Sequence, residues 1–302
     1  MARLQSARLA GIAVLAGVLM LAGCGSGNPV SRATAGLSGA KERGRSGSRI
    51  VRGGGRRGAE SAVATRTVPA LIVPRGGPSK SVQVPVLTYH RVAPLSAVGI
   101  TDLKVEPVNF AAELGALQAG GYHTVSQAQL FDALYKGAKL PAKPVIISVD
   151  DGYVDDIRTI LPDLKRFHML ATFFVITGRM TAPGFLSARQ IRQLDRAGMD
   201  VGDHTAHHVD LRLLTATELR SETAGSKRVL EGVLGHPVYS FAYPFGAYND
   251  NVVAAVRAAG FTMAYSTAAG TTESTRAPLT MPRVHVGRAQ TPSGIVSLLG
   301  GA

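Results

Sequence analysis

The chain has 302 residues, room for one large domain or two small ones, and a single cysteine, which excludes an internal disulfide. Its net charge of +13 at pH 7 invites a nucleic-acid partner, but the excess is confined: residues 24–80 hold eleven basic and two acidic side chains, residues 81–302 twenty and eighteen. The folded part is therefore nearly neutral, no nucleic-acid-binding motif accompanies the basic stretch, and nucleic acid is not expected as a partner.

Residues 9–22 form an almost purely apolar run behind Arg3 and Arg8. The run is shorter than the roughly 20 residues of a membrane-spanning helix and has the flanks of a secretory signal peptide. It ends in Leu21-Ala22-Gly23-Cys24, which resembles the lipobox of bacterial lipoproteins, where the signal is cut ahead of a cysteine whose sulfur then carries diacylglycerol. An ordinary signal peptide followed by a chance cysteine is the plainer alternative; lipidation is the expectation because Cys24 has no partner thiol. Residues 1–23 are thus read as a lipoprotein signal peptide, and the mature chain as starting at a lipidated Cys24 on the outer face of the bacterial cell membrane. Residues 24–83 are read as a disordered tether. Gly, Ser and Arg dominate it, as in Arg52-Gly53-Gly54-Gly55-Arg56-Arg57-Gly58, and such a composition cannot bury a core. It serves either as a plain flexible leash or as a polybasic segment that clings to anionic lipid or wall polymer.

From Val84 onward the pattern is regular, and residues 84–302 are read as one domain. Short β-branched or aromatic runs predict strands at 85–89, 145–149, 172–176, 199–202, 238–243 and 261–265, separated by segments with helical spacing of apolar residues. Ser126-x-x-Gln129, Ser187-x-x-Gln190 and Thr215-x-x-Glu218 read as capping boxes that open helices. Gly120, Gly198 and Gly260 are expected to close helices in the left-handed conformation just ahead of the next strand. Strand alternating with helix predicts a mainly parallel sheet. About seven such units suit an α/β fold, a distorted (β/α) barrel, in which chemistry sits at the C-terminal ends of the strands.

Two of those ends carry chemistry. The strand at 145–149 runs into Asp150-Asp151-Gly152. Adjacent carboxylates at the mouth of a buried strand repel and resist desolvation; a bound metal relieves one and leaves the other as a base, whereas a plain helix cap is the alternative use. The strand at 199–202 leads into Asp203-His204-Thr205-Ala206-His207-His208. On one helical turn His204 and His208 would share a face, and two imidazoles with one carboxylate make up a catalytic zinc site with open positions. His207 is also available as a ligand.

Together these stretches carry a family resemblance. Ser148-Val149-Asp150-Asp151-Gly152 resembles the T-F-D-D-G motif of the polysaccharide deacetylases (NodB-homology domains, carbohydrate esterase family 4), and the run from His204 to Leu211 resembles their H-[ST]-x-x-H-x-x-L. The opening Val84-Pro85-Val86-Leu87-Thr88-Tyr89-His90-Arg91-Val92 is similar to V-P-V-L-x-Y-H-R-V of one branch, and Phe241-Ala242-Tyr243-Pro244-Phe245-Gly246 to its F-A-Y-P-Y-G. The motifs keep the family's order over residues 84 to about 285. The resemblance implies a NodB-like barrel, Asp151, His204 and His208 as ligands of a divalent metal, zinc above all, and Asp150 as the general base that deprotonates the attacking water. It also implies that the Phe245 amide helps hold the developing oxyanion, with Tyr243 beside it at the substrate, and that Thr205 braces the histidine loop.

The chain departs from the pattern in three places. Ala242 stands where the broader family carries an Arg that orients the base, and Arg283 on the last expected strand is the substitute candidate. The general acid is open between His90 and His285, with His90 the expectation. Trp is absent, so the family's tryptophan motif is missing. Tyr89, Tyr153, Tyr243, Phe245 and Tyr248 lie near the expected mouth, where aromatic rings either stack on sugars or simply pack. The expected function is metal-dependent removal of N-acetyl groups from an extracellular or cell-wall glycan, an N-acetylated polysaccharide being the expected partner alongside the membrane. An O-acetyl esterase using the same site and an inactive glycan-binding surface lipoprotein are the competing readings; the retained Asp pair and His-x-x-x-His argue against the inactive one.

Overall fold

The computed structural model describes residues 67–74 and 78–299. The expected signal peptide, Cys24 and residues 24–66 of the expected tether lie outside the described residues.

Seven strands pair in parallel and close into a ring: β1 (Val86–Tyr89), β2 (Pro144–Val149), β3 (Thr172–Val175), β4 (Asp200–Asp203), β5 (Ser240–Ala242), β6 (Met263–Ala269) and β7 (Met281–His285). Each pairs with its successor, and β7 returns to β1 through Val284↔Leu87 and His285↔Thr88. The ring is uneven. On β2, His123–Thr124 pairs along Pro144 and Val145 and β3 only along Ser148 and Val149. A short extra pairing, Arg91–Val92 with Lys104–Val105, stiffens the loop after β1.

The strands read as continuous apolar runs because both faces are covered. Successive side chains point to opposite faces, and the core divides accordingly. Leu87, Ile147, Phe173 and Phe241 pack outward with helical residues such as Leu114, Ile191 and Val252. Their neighbours Val86, Ile146, Phe174 and Ala242 pack inward with Met263, Tyr265 and Met281. Each Val, Leu, Ile, Phe or Met among them, fully buried, stabilises the fold by about 1.5–3 kcal/mol. Gly202 is required on β4, because a Cβ there would collide with the inward Phe174 ring.

All three capping boxes form as expected, at Ser126, Ser187 and Thr215. Gly198 (φ 86°) and Gly260 (φ 80°) take the left-handed conformation, but Gly120 does not: it stays right-handed at φ −73° and Gly121 (φ 75°) makes the turn. The helix Pro107–Ala119 thus runs one residue further than expected before reversing. The other correction concerns the C-terminal part of the expected tether. Leu71, expected within the tether, is buried with Val84, Val86, Leu130 and Phe131 at the N-terminal end of the barrel, and Ser81–Gln83 pairs antiparallel with Thr272–Ser274. The Gly/Ser/Arg bias has already given way here to apolar residues, of which Leu71 is buried and Val68 partly so while Ile72 and Val73 stay exposed.

Candidate active site

β2 delivers the aspartate pair and turns sharply after it. Asp151 (φ 78°) and Gly152 (φ 73°) are both left-handed; for a non-glycine residue that costs on the order of 1–2 kcal/mol. Such strain persists only where the surroundings enforce it. Asp150 and Asp151 are buried, 2% and 9% exposed. They point to different partners.

Asp150 is clamped by Arg283, Nη1 on Oδ1 at 2.9 Å and Nη2 on Oδ2 at 2.8 Å, a bidentate pair reaching across from β7. Arg283 is itself fixed by Nε donating to the Ser266 carbonyl at 3.0 Å. Burial pushes the Asp150 carboxyl up, but the Arg283 guanidinium and the nearby histidines override it and hold it down at about 2. Asp150 is therefore ionised and held at both oxygens. Arg283, the candidate substitute for the charge absent at Ala242, is thus the residue paired with Asp150.

Asp151 meets the histidines. Its Oδ1 lies 3.6 Å from His204 Nε2 and 3.5 Å from His208 Nε2, and one ligand atom from each of the three side chains falls within 4.8 Å of the others. The histidine segment is not the helical turn expected from the His-x-x-x-His spacing. It is an irregular loop in which Thr205 (φ 68°) and His208 (φ 56°) are both left-handed. Asp203 Oδ1 accepts from the Thr205 amide at 2.8 Å, Thr205 Oγ1 accepts from the His208 amide at 2.9 Å, and the Thr177 and Gly178 amides donate to the carbonyls of Thr205 and Ala206. His207 points elsewhere: its ring is 67% exposed and its Nδ1 contacts Glu222 at 2.6 Å.

The chemistry of this donor set fits a divalent metal. Asp151 Oδ1, the atom facing both imidazoles, is buried without a hydrogen-bond partner. Burial and the charge of Asp150 push the Asp151 carboxyl up to about 7, a penalty that a cation removes. His204 Nδ1 donates to the Ala242 carbonyl at 2.7 Å, which leaves the Nε2 lone pair facing Asp151. Burial lowers His204 to about 3 and lowers His208 as well, so both rings are in the neutral, ligating form. Two neutral imidazoles and a carboxylate with room beside them are the donors of a catalytic zinc centre.

The remaining candidates surround a cavity of about 510 Å³ that Asp151, His204 and His208 also line. His90 and His285 both line it, their rings 5.7 Å apart in an edge contact. His90 Nδ1 is buried without a partner, and burial lowers that ring to about 4. Tyr243 lines the cavity while its hydroxyl donates to the Leu279 carbonyl at 2.8 Å. Phe245 (φ 59°) is 63% exposed and sets its ring edge-on to His208 at 4.7 Å. Two of the aromatics expected at the mouth are not in its lining. Tyr89 is fully buried and donates to Glu113 at 2.9 Å, because its position on β1 faces the helices; Tyr248 packs on Tyr243. Conversely, Arg91, Arg179 and Phe185 line the cavity although the sequence reading gave them no part in the site. Arg91 belongs to the stretch 84–92 that carries the family resemblance; the loop bearing Arg179 and Phe185 carries no recognisable signal.

Comparison with known proteins gives a consistent result. A sequence family described as polysaccharide deacetylase matches residues 137–264. The YxkH protein of Bacillus subtilis (strain 168) is 28% identical over 207 residues, 68% of this chain and 72% of that protein. A poly-beta-1,6-N-acetyl-D-glucosamine N-deacetylase of Staphylococcus aureus is 24% identical over 207 residues, 60% of this chain and 70% of that protein. The crystal structure of a polysaccharide deacetylase from Bacillus cereus superposes with a TM-score of 0.66 at 30% identity, covering 72% of this chain and 69% of that one.

Proposed function

We propose, from the premise that this chain belongs to the polysaccharide deacetylase family, that it is a metal-dependent N-deacetylase of an extracellular glycan. It is a hydrolase acting on the carbon–nitrogen bond of acetylated polysaccharide. The observation that carries the finer reading is the pairing of two arrangements: an orphaned Asp151 oxygen facing two neutral imidazoles, beside a second aspartate kept ionised by Arg283.

Asp151, His204 and His208 would hold the metal, zinc being the ion this donor set suits best. A divalent cation there supplies Lewis-acid polarisation of the acetyl carbonyl and acidifies a water. Everything else falls to the chain. Asp150 accepts the proton of the attacking water, and Arg283 keeps that carboxylate charged and aimed. The Phe245 amide donates to the oxyanion as it develops, a task its fixed left-handed turn suits. The proton that Asp150 takes up would pass through His90 to the departing amine nitrogen, with His285 against the His90 ring. Arg283 costs Asp150 basicity while ensuring that it is never protonated near neutral pH; a base so weak suits only a water already made acidic.

The test is a panel of acetylated polymers, neutral β-linked N-acetylglucosamine oligomers among them, with acetate and free amine measured together. The reading expects equal amounts of both and loss of both with chelator. Acetate without amine, from an O-acetylated polymer alone, would make the enzyme an esterase. The signal peptide, the lipidated Cys24 and the basic tether belong to the same proposal, supported by the apolar run and Leu21-Ala22-Gly23-Cys24. They place the enzyme on the outer face of the membrane beside its polymer.

A further inference from the structure

One side wall of the cavity has no part in the chemistry above. The loop after β3 is zipped to the loop after β2: the Leu186 amide donates to the Gly152 carbonyl at 2.8 Å and the Val154 amide to the Gly184 carbonyl at 2.9 Å. The zip stacks Tyr153 on Phe185, ring centroids 4.8 Å apart and planes 25° from parallel. Arg91 lies over Tyr153 at 4.6 Å and Arg179 over Phe185 at 5.2 Å. The wall is thus an aromatic pair held between two guanidinium groups, and all four side chains line the cavity that holds the metal ligands.

The two cations are not equivalent. Arg91 is neutralised by Asp155, Nε to Oδ2 2.8 Å. Arg179 is exposed, and among the described residues the arginine–carboxylate pairs belong to Arg91, Arg166, Arg212 and Arg283. It lines the same cavity as Asp151 and His208, which puts it beside the reacting centre. The carboxylates in the lining are Asp150 and Asp151; Arg283 occupies the first and the ligand set claims the second. The cleft therefore offers Arg179 no counter-charge of its own, while the aromatic pair beside it, its outer faces covered by the two guanidinium groups, offers apolar ring edges.

We propose that this wall is a binding site for a carboxylate-bearing N-acetylated saccharide, with the sugar against the ring edges of Tyr153 and Phe185 and the carboxylate on Arg179. The inference rests on the reading of the cleft as a glycan N-deacetylase site. An acetamide at the metal ligands leaves substituents on the flanking ring carbons, or on the adjoining sugar, within a sugar's width of the reacting carbonyl. A guanidinium is the side chain that grips a carboxylate there in two-pronged geometry. The acid is either a uronate in the adjoining sugar or a carboxylate borne on an ether of the acetamido sugar, and the experiment separates them.

Binding is read by titration calorimetry on the full chain held metal-free with chelator, so that no turnover intervenes. The probes are a neutral N-acetylglucosamine tetramer, a tetramer alternating glucuronate with N-acetylglucosamine, and one alternating N-acetylglucosamine with N-acetylmuramic acid. At least one acidic tetramer should bind about tenfold tighter than the neutral one, a preference that weakens with salt. Arg179→Gln should bring the ratio of dissociation constants to about one, and Arg179→Lys, which keeps the charge but not the fork, should retain part of it. Whichever acidic probe gains identifies the source. Equal binding of all three by the parent, no binding of any, or a preference that Arg179→Gln leaves intact would each overturn the proposal. Acetate release from the same probes by metal-loaded protein is scored separately: none from any probe, with the preference intact, would remove the deacetylase reading and leave the binding site standing.

Discussion

Residue identities carry the candidate site, and they were legible to different degrees. Asp150, Asp151, His204 and His208 stood out because two carboxylates and two imidazoles at strand ends are costly unless something uses them. The partner of Asp150 was harder to read: Arg283 is 133 positions away, and only closure of the barrel brings β7 beside β2 through β1. Its role makes a prediction with a definite sign. Arg283 holds Asp150 down at about 2, so Arg283→Gln should raise the Asp150 pKa and move the acid limb of the kcat/KM profile to higher pH; an unmoved limb would mean that Asp150 is not the titrating base. The same substitution strands a buried charge and should cost roughly 3–5 kcal/mol in denaturant unfolding. For the metal, Asp151→Ala and His204→Ala should each lose most bound zinc by elemental analysis. His207→Ala should retain it, since that ring faces Glu222. Full zinc in either of the first two would displace the ligand assignment.

At the scale of elements, local signals were most reliable where a side chain closes on its own backbone. The capping boxes at Ser126, Ser187 and Thr215 form because each needs only residues three apart. The histidine segment misled because an i, i+4 spacing fits a helical turn equally well as sequence, whereas the loop reaches the same juxtaposition through left-handed Thr205 and His208. A β-branched residue in that region is unusual, and here Thr205 Oγ1 offsets the strain by accepting from the His208 amide. Thr205→Val keeps the shape and removes that acceptor. Zinc affinity should fall by about 10–100-fold in a chelator competition, the usual cost of losing a group that orients a ligand; unchanged affinity would show that the loop does not depend on the hydroxyl.

Across the whole molecule, strand–helix alternation was enough to foresee the closed barrel, because burial on both faces leaves few other arrangements. The burial of Leu71 and the pairing of Ser81–Gln83 were not foreseen, since one apolar side chain and a three-residue strand carry little signal against a glycine-rich background. That strand pairs with the one bearing Glu273, which is fully buried with neither carboxylate oxygen partnered. Burial pushes Glu273 up to about 8. The unfolded chain releases this proton earlier, so the residue destabilises the fold increasingly as pH rises from its ordinary value toward 8. Relative to the parent, Glu273→Gln should therefore gain melting temperature between pH 5 and 8; a difference independent of pH would mean that the buried carboxyl does not titrate there. The central claim, metal-dependent glycan deacetylation by one three-residue centre, is tested most directly by titrating zinc into chelator-treated protein while following acetate release from an N-acetylated oligomer. Activity should return in proportion to zinc and level off at one metal per chain, with none recovered in Asp151→Ala. Acetate release that persists without metal, or that returns equally in Asp151→Ala, would contradict it.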